Sequence, residues 1–200
     1  MRSTYRLLAA HRELWDQAVR HPFLRVLERP PTEEALRRWL GYEARWFEGA
    51  FASLGCLLSK VPKEHRYVLA QALMLMAEEL EWLDVNAIPV PDPAEAEEWS
   101  NRVQHYFSYD WDRLMIAVWL GARLEYDGLR ALNPEDELAR SYLERRTSPF
   151  VEAFLHDFEE MADPAIERVG LSEASNILLQ VVEELSALWD LGLALAEGKK

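Results

Sequence analysis

Two hundred residues, half of them hydrophobic and eight of them tryptophan, are enough for one well-buried domain and short for two. A formal charge of −13 argues against a nucleic-acid partner, which calls for basic surface, and against docking on an anionic membrane. The single cysteine, Cys56, excludes an intrachain disulfide and a cysteine metal cluster and fits a reducing compartment.

The opening MRSTYRLLAAHREL has no long apolar core of the kind a secretory signal needs, and no later run approaches the length of a membrane span. The expectation is a cytoplasmic protein. Helical period then dominates the chain, and no stretch alternates cleanly enough for a strand. Thr4 to Arg20 reads as a first helix with Leu7, Leu8, His11, Leu14, Trp15 and Ala18 on one side. His21-Pro22-Phe23 ends it, because a residue before proline avoids helical geometry. After Pro30 and Pro31, Thr32 to Leu58 reads as one long helix, with Thr32 as N-cap and Glu33 and Glu34 at the positive end of the helix dipole. Its apolar stripe is Leu36, Leu40, Phe47, Ala50, Phe51, Leu54 and Leu58, and Arg37, Arg38, Gly41, Arg45 and Glu48 fall opposite. Cys56 stands in an apolar run at its end and reads as a buried thiol.

Pro62 starts a third helix that runs to about Asn86, with Val68, Ala72, Leu75, Met76, Glu79 and Leu83 in its stripe. Ile88 to Pro93 is the clearest break. Asp92-Pro93 caps and opens a fourth helix ending near Tyr109, and Asp110 to Leu132 is a fifth, apolar all round from Leu114 to Ala122 and hence central. Asn133-Pro134 and Ser148-Pro149 repeat the cap-then-proline signature and open two more. The last helix runs from about Ser172 to Glu197. The chain therefore reads as an all-α, single-domain helical bundle of seven to eight helices over residues 1–200.

One residue breaks the stripe of the long helix. Glu43 lies one turn from Leu40 and Phe47, flanked by Trp39 and Trp46. Its neighbours at three and four positions are apolar or aromatic, so no local cation serves it. A buried carboxylate must be paired, hydrogen-bonded or neutralised. Its partner comes from elsewhere in the fold, as in a structural ion pair with an arginine, or from a ligand.

Four segments carry a resemblance: ELWDQAVRHPFLRVL at 13–27, LRRWLGYEARWFEGAF at 36–51, RRTSPFVEAF at 145–154 and ELSALWDLGLAL at 184–195. In order and spacing they resemble the TenA (thiaminase II) family, within the heme-oxygenase-like all-helical superfamily that includes the pyrroloquinoline-quinone synthase. The resemblance implies that fold, a homodimer or homotetramer, no cofactor, and a pocket for a thiamin-derived aminopyrimidine. The family's pocket acid on the long helix matches Glu43, and the aromatic one turn later matches Trp46. The other positions depart from the pattern. Trp119 stands for the nucleophilic cysteine, Arg123 and Arg145 for two pocket tyrosines, and Leu188 for the phenylalanine of the terminal motif. That register leaves Leu185 where the family has its acid/base glutamate, with Glu184 next to it.

Thiaminase chemistry needs a nucleophile and an acid/base, and neither stands at its expected position. Two readings follow. In one, Glu43 holds a ring nitrogen or amine, Trp39, Trp46 and Trp119 wall the ring, and Glu184 is the remaining acid/base of a hydrolase lacking the family cysteine. In the other, the chain is a non-catalytic small-molecule-binding or structural helical oligomer. Arg123 and Arg145 could pair with Glu43 or bind an anionic ligand group, and Arg123 could equally pair with Asp127 one turn on. Metal and haem are disfavoured. The related two-metal branch would need a histidine where Asn86 stands, and the last helix has none. His11, the best haem candidate, reads as a satisfied core or contact histidine.

Overall fold

The computed structural model describes residues 2–58 and 61–200, with backbone only for Leu57 and Phe107. Ten α-helices follow one another among the described residues: α1 (Ser3–Ala10), α2 (Arg12–Ala18), α3 (Pro22–Glu28), α4 (Glu33–Leu57), α5 (Arg66–Asn86), α6 (Pro93–Asn101), α7 (Trp111–Leu129), α8 (Glu137–Arg146), α9 (Pro149–Val169) and α10 (Leu171–Ala196). Short 3₁₀ turns at Lys63–His65 and Gln104–Ser108 precede α5 and α7.

The helix starts follow local chemistry. Thr32 Oγ1 accepts from Ala35 N–H at 3.1 Å, Asp92 from Ala94 and Ser148 from Val151, and Pro93 and Pro149 take the first helical turns. Four local expectations are corrected. The Thr4–Arg20 helix breaks at His11, whose φ of −117° and ψ of 25° leave the helical region. Residues 22–28 form a helix of their own, capped when His21 Nδ1 accepts from Phe23 N–H at 3.3 Å. Asn133 is not the cap of α8: Asp136 caps it by accepting from Ala139 N–H at 2.9 Å. The fourth helix stops at Asn101, and the rest of that stretch is the 3₁₀ turn.

By contacts the chain forms two compact units, Met1–Pro31 with Asp112–Lys200, and Thr32–Trp111. The first is centred on α10, which buries eleven residues from Ala174 to Leu195. Phe23 of α3 lies so close to Gly192 that a Cβ there would stand 2.3 Å from its ring, and Gly128 of α7 faces Leu24 and Trp189. These glycines let α10 approach its neighbours closely. The N-terminus of α1 is tied to α9 by Thr4, whose N–H and hydroxyl both donate to Asp163 (3.0 and 3.2 Å). His21, with Nδ1 used in its cap, donates from Nε2 to Asp190 at 3.2 Å.

The second unit is α4 packed on α5 and α6. Gly41, expected on the outer side of α4, is buried: the Ile88 carbonyl would lie 2.1 Å from a Cβ at that position. Gly49, two turns on, meets the Ser100 carbonyl in the same way. The α5–α6 connection is thus laid against α4 and held by Ile88 N–H donating to the Arg37 carbonyl and Arg37 donating to the Asn86 carbonyl, both at 2.8 Å. The end of α4 emerges from the packing. Leu58 is exposed and so is Cys56, which corrects the reading of a buried thiol.

Candidate functional site

α4 carries the strongest candidate. Trp39, Glu43 and Trp46 follow at four and three residues and so share one face of the helix. Trp39 is fully buried, Glu43 is 3% exposed and Trp46 is half-buried. A carboxylate at that depth is not left bare, and Glu43 is engaged by another group of the protein. The Trp46 ring packs on Phe47 with centroids 5.9 Å apart. Its indole N–H is buried and donates to no acceptor among the described residues. One helix face therefore presents a carboxylate acceptor and, one turn on, an indole donor, with aromatic surface on both sides. Tyr42, about 100° round the helix from Glu43, has its own partner: its hydroxyl donates to Glu95 at 3.0 Å, and burial followed by that carboxylate pushes its pKa up to about 12.

The remaining candidates belong to the first unit. Trp119 is 1% exposed, and its indole N–H, like that of Trp46, finds no acceptor among the described residues. It leaves α7 about 200° around the helix from Gly121, where an added Cβ would stand 3.9 Å from Val181 of α10. Arg123 takes the local option: its Nε donates to Asp127 at 2.9 Å. Asp127 also accepts from the Trp15 indole at 3.4 Å and pairs with Arg130 at 3.6 Å, tying α2 to α7. Leu185 and Leu188 are buried in the face α10 turns inward, whereas Glu184, one position off it, is half-buried.

Arg145 is half-buried at the end of α8, but the deeply buried guanidinium is its neighbour Arg146. Arg146 pairs with Glu125 at 3.5 Å and lies over the Tyr142 ring at 5.3 Å, and Tyr142 donates to the same carboxylate at 3.0 Å. Sequence reasoning missed this trio. Its signal was present, since Ala139, Tyr142, Leu143 and Arg146 fall at helical spacing and form the buried face of α8. Among the described residues no group of three or more His, Cys, Asp or Glu is arranged to hold a metal ion. Nor is any helix among them long and apolar enough to cross a membrane.

The bundle is all-α, and its fold is that of TenA structures, the heme-oxygenase-like fold. Its likeness to TenA structures extends over nearly the whole chain. A TenA homologue from Pyrococcus furiosus superposes with a TM-score of 0.82 at 15% identity, covering 95% of this chain and 99% of that one. A TenA family transcription regulator from Silicibacter sp. gives 0.79 at 14%, over 96% of each chain. A TenA homologue from P. horikoshii OT3 gives 0.72 at 14%, over 98% of this chain and 100% of that one. No family model and no curated protein matches the sequence. At such identities the likeness is one of fold.

Proposed function

We propose that the chain is a diverged TenA-family protein that binds a small, aromatic, polar metabolite of the aminopyrimidine type on the Trp39–Glu43–Trp46 face of α4. Residues 1–200 are taken as one TenA-like domain, a reading supported by the share of both chains that superposes. The observation that carries the ligand class is the buried Trp46 N–H, without an acceptor among the described residues, one turn from the buried Glu43 carboxylate. An aminopyrimidine offers the complement. Its exocyclic amine donates to a carboxylate, a ring nitrogen accepts from an indole N–H, and its π-face stacks on tryptophan. The reading is of a cytoplasmic homo-oligomer without metal or haem.

Binding is favoured over thiaminase turnover. The side chains at the family's nucleophile and acid/base positions, Trp119 and Leu185, are buried and carry no group able to attack carbon or move a proton. Glu184 remains the candidate acid/base for a hydrolysis that dispenses with the cysteine.

The test is calorimetry and thermal denaturation with thiamin and with aminopyrimidine derivatives, together with product analysis. A ligand at about 100 times its Kd stabilises by about 2.7 kcal/mol, and this gain should fall by at least about 1 kcal/mol in Glu43→Gln and in Trp46→Phe, each of which removes one charge-assisted or neutral hydrogen bond. No heat and no thermal shift with any of these compounds sinks the reading. Release of product that stops in Glu184→Gln replaces it with the hydrolase.

A further inference from the structure

α5 is apolar through its centre yet buries only Leu69, Ala72 and Leu83. Three large apolar side chains stand in solvent on one side of it: Tyr67 at 72%, Met74 at 64% and Val85 at 80% exposure. With Gln71, Glu78 and Glu81 they fall at alternating spacings of four and three residues, the spacing of a helix–helix seam. Exposed large apolar groups aligned in one stripe mark an interaction surface more than singly scattered ones do.

The charges beside the seam say which partner fits. Arg66 opens α5, where the helix dipole is positive, and Asp84 lies in its last turn, where the dipole is negative. Both charges oppose the dipole. Among the described residues neither has an ion-pair partner, and both are exposed. Eighteen residues apart, they occupy the same flank of the helix. A second α5 running antiparallel corrects both faults at once, because like flanks meet in an antiparallel pair. Arg66 of one copy then meets Asp84 of the other, twice. A two-fold at residue 76 sets Tyr67 against Val85, Gln71 against Glu81 and Met74 against Glu78, and leaves Arg66 and Asp84 about 3 Å from level along the axis, within the reach of an arginine. It keeps the acidic half of each helix off the acidic half of its mate.

We propose that α5 is an isologous, two-fold self-association surface that pairs antiparallel with α5 of a second copy of this chain. The proposal deepens the self-association named above and involves no ligand, so association measured on the ligand-free protein separates its failure from failure of the α4 site.

Sedimentation equilibrium on the full chain tests it. Met74→Lys should raise the dimer dissociation constant about tenfold or more by placing a charge in the seam. Arg66→Glu and Asp84→Arg should each raise it about threefold, and the double variant, which restores both pairs, should return it to within about twofold of wild type. Register is read by disulfide trapping in a Cys56→Ser background. Tyr67→Cys and Val85→Cys chains should cross-link when mixed and not alone, because like positions lie about 27 Å apart in an antiparallel pair. A wild-type monomer at about 100 μM, where even a weak interface of standard size would pair, overturns the proposal. So does a dimer indifferent to Met74→Lys, or Tyr67→Cys chains that cross-link with one another. Circular dichroism establishes that each variant is folded.

Discussion

α5 and α10 are both long and rich in apolar residues, and they end in opposite situations. α10 buries eleven residues over about half of its circumference, with glycine at 192 where Phe23 presses in. α5 buries three and leaves Tyr67, Met74 and Val85 in solvent. The difference lies in what faces each helix. α10 has α3, α7 and α9 around it, whereas α5 rests on α4 along one side. Hydrophobic content measures how much surface a helix could bury, and the neighbours that topology supplies decide how much it does.

Mutations sharpen the contrast. Trp189→Ala removes a large ring from between His21 and Gly128 and should destabilise by about 3–5 kcal/mol in denaturant unfolding. A loss under 1 kcal/mol would mean that α10 is not the centre of its unit. Gly192→Ala should cost about 1–3 kcal/mol through overpacking on Phe23. Gly41→Ala should cost at least as much, since what it strikes is the Ile88 backbone carbonyl and no side-chain rotation relieves that. Tyr42 gives a pH-dependent reading. Its pKa is raised from 10.0 to about 12, so its contribution is complete below pH 10 and lost as pH rises towards 12. Tyr42→Phe should flatten that alkaline loss and leave the slope below pH 9 unchanged. The smallest effect belongs to α5: Val85→Ala should change the stability of the separated monomer by less than about 0.5 kcal/mol, and a larger loss would mean that the exposed face is occupied within the chain.

Local chemistry was the legible part of the fold. Thr32, Asp92-Pro93 and Ser148-Pro149 announced three helix starts, and the apolar centre of α7 announced its burial. Asn133-Pro134 misled because a turn and a cap use the same residues, and only the Asp136–Ala139 hydrogen bond tells which one starts the helix. The break at His11 adds a segment to the seven to eight helices read from the sequence, and the short α3, in a stretch read as a connection, adds another. Contacts distant in sequence left no such mark. The approach of Ile88 to Gly41 and of Phe23 to Gly192 cannot be heard in the spacing of either partner. In the candidate site, Glu43 was legible because an acid in an apolar stripe violates helical period. Arg123 with Asp127 was legible because the pair is one turn apart. The indole N–H of Trp46, without an acceptor among the described residues, was not, since satisfaction of a donor depends on everything around it.

α9 ends at Val169 and α10 begins at Leu171, so Gly170 alone joins them, at φ 92° and ψ 148°. Side chains with a Cβ are strained there by about 1–3 kcal/mol. The angle between two of the longest helices in the first unit is therefore written into one pair of dihedrals instead of a loop. With almost no chain to close, their meeting carries little entropic cost, and it stands among the earliest tertiary contacts open to the folding polypeptide.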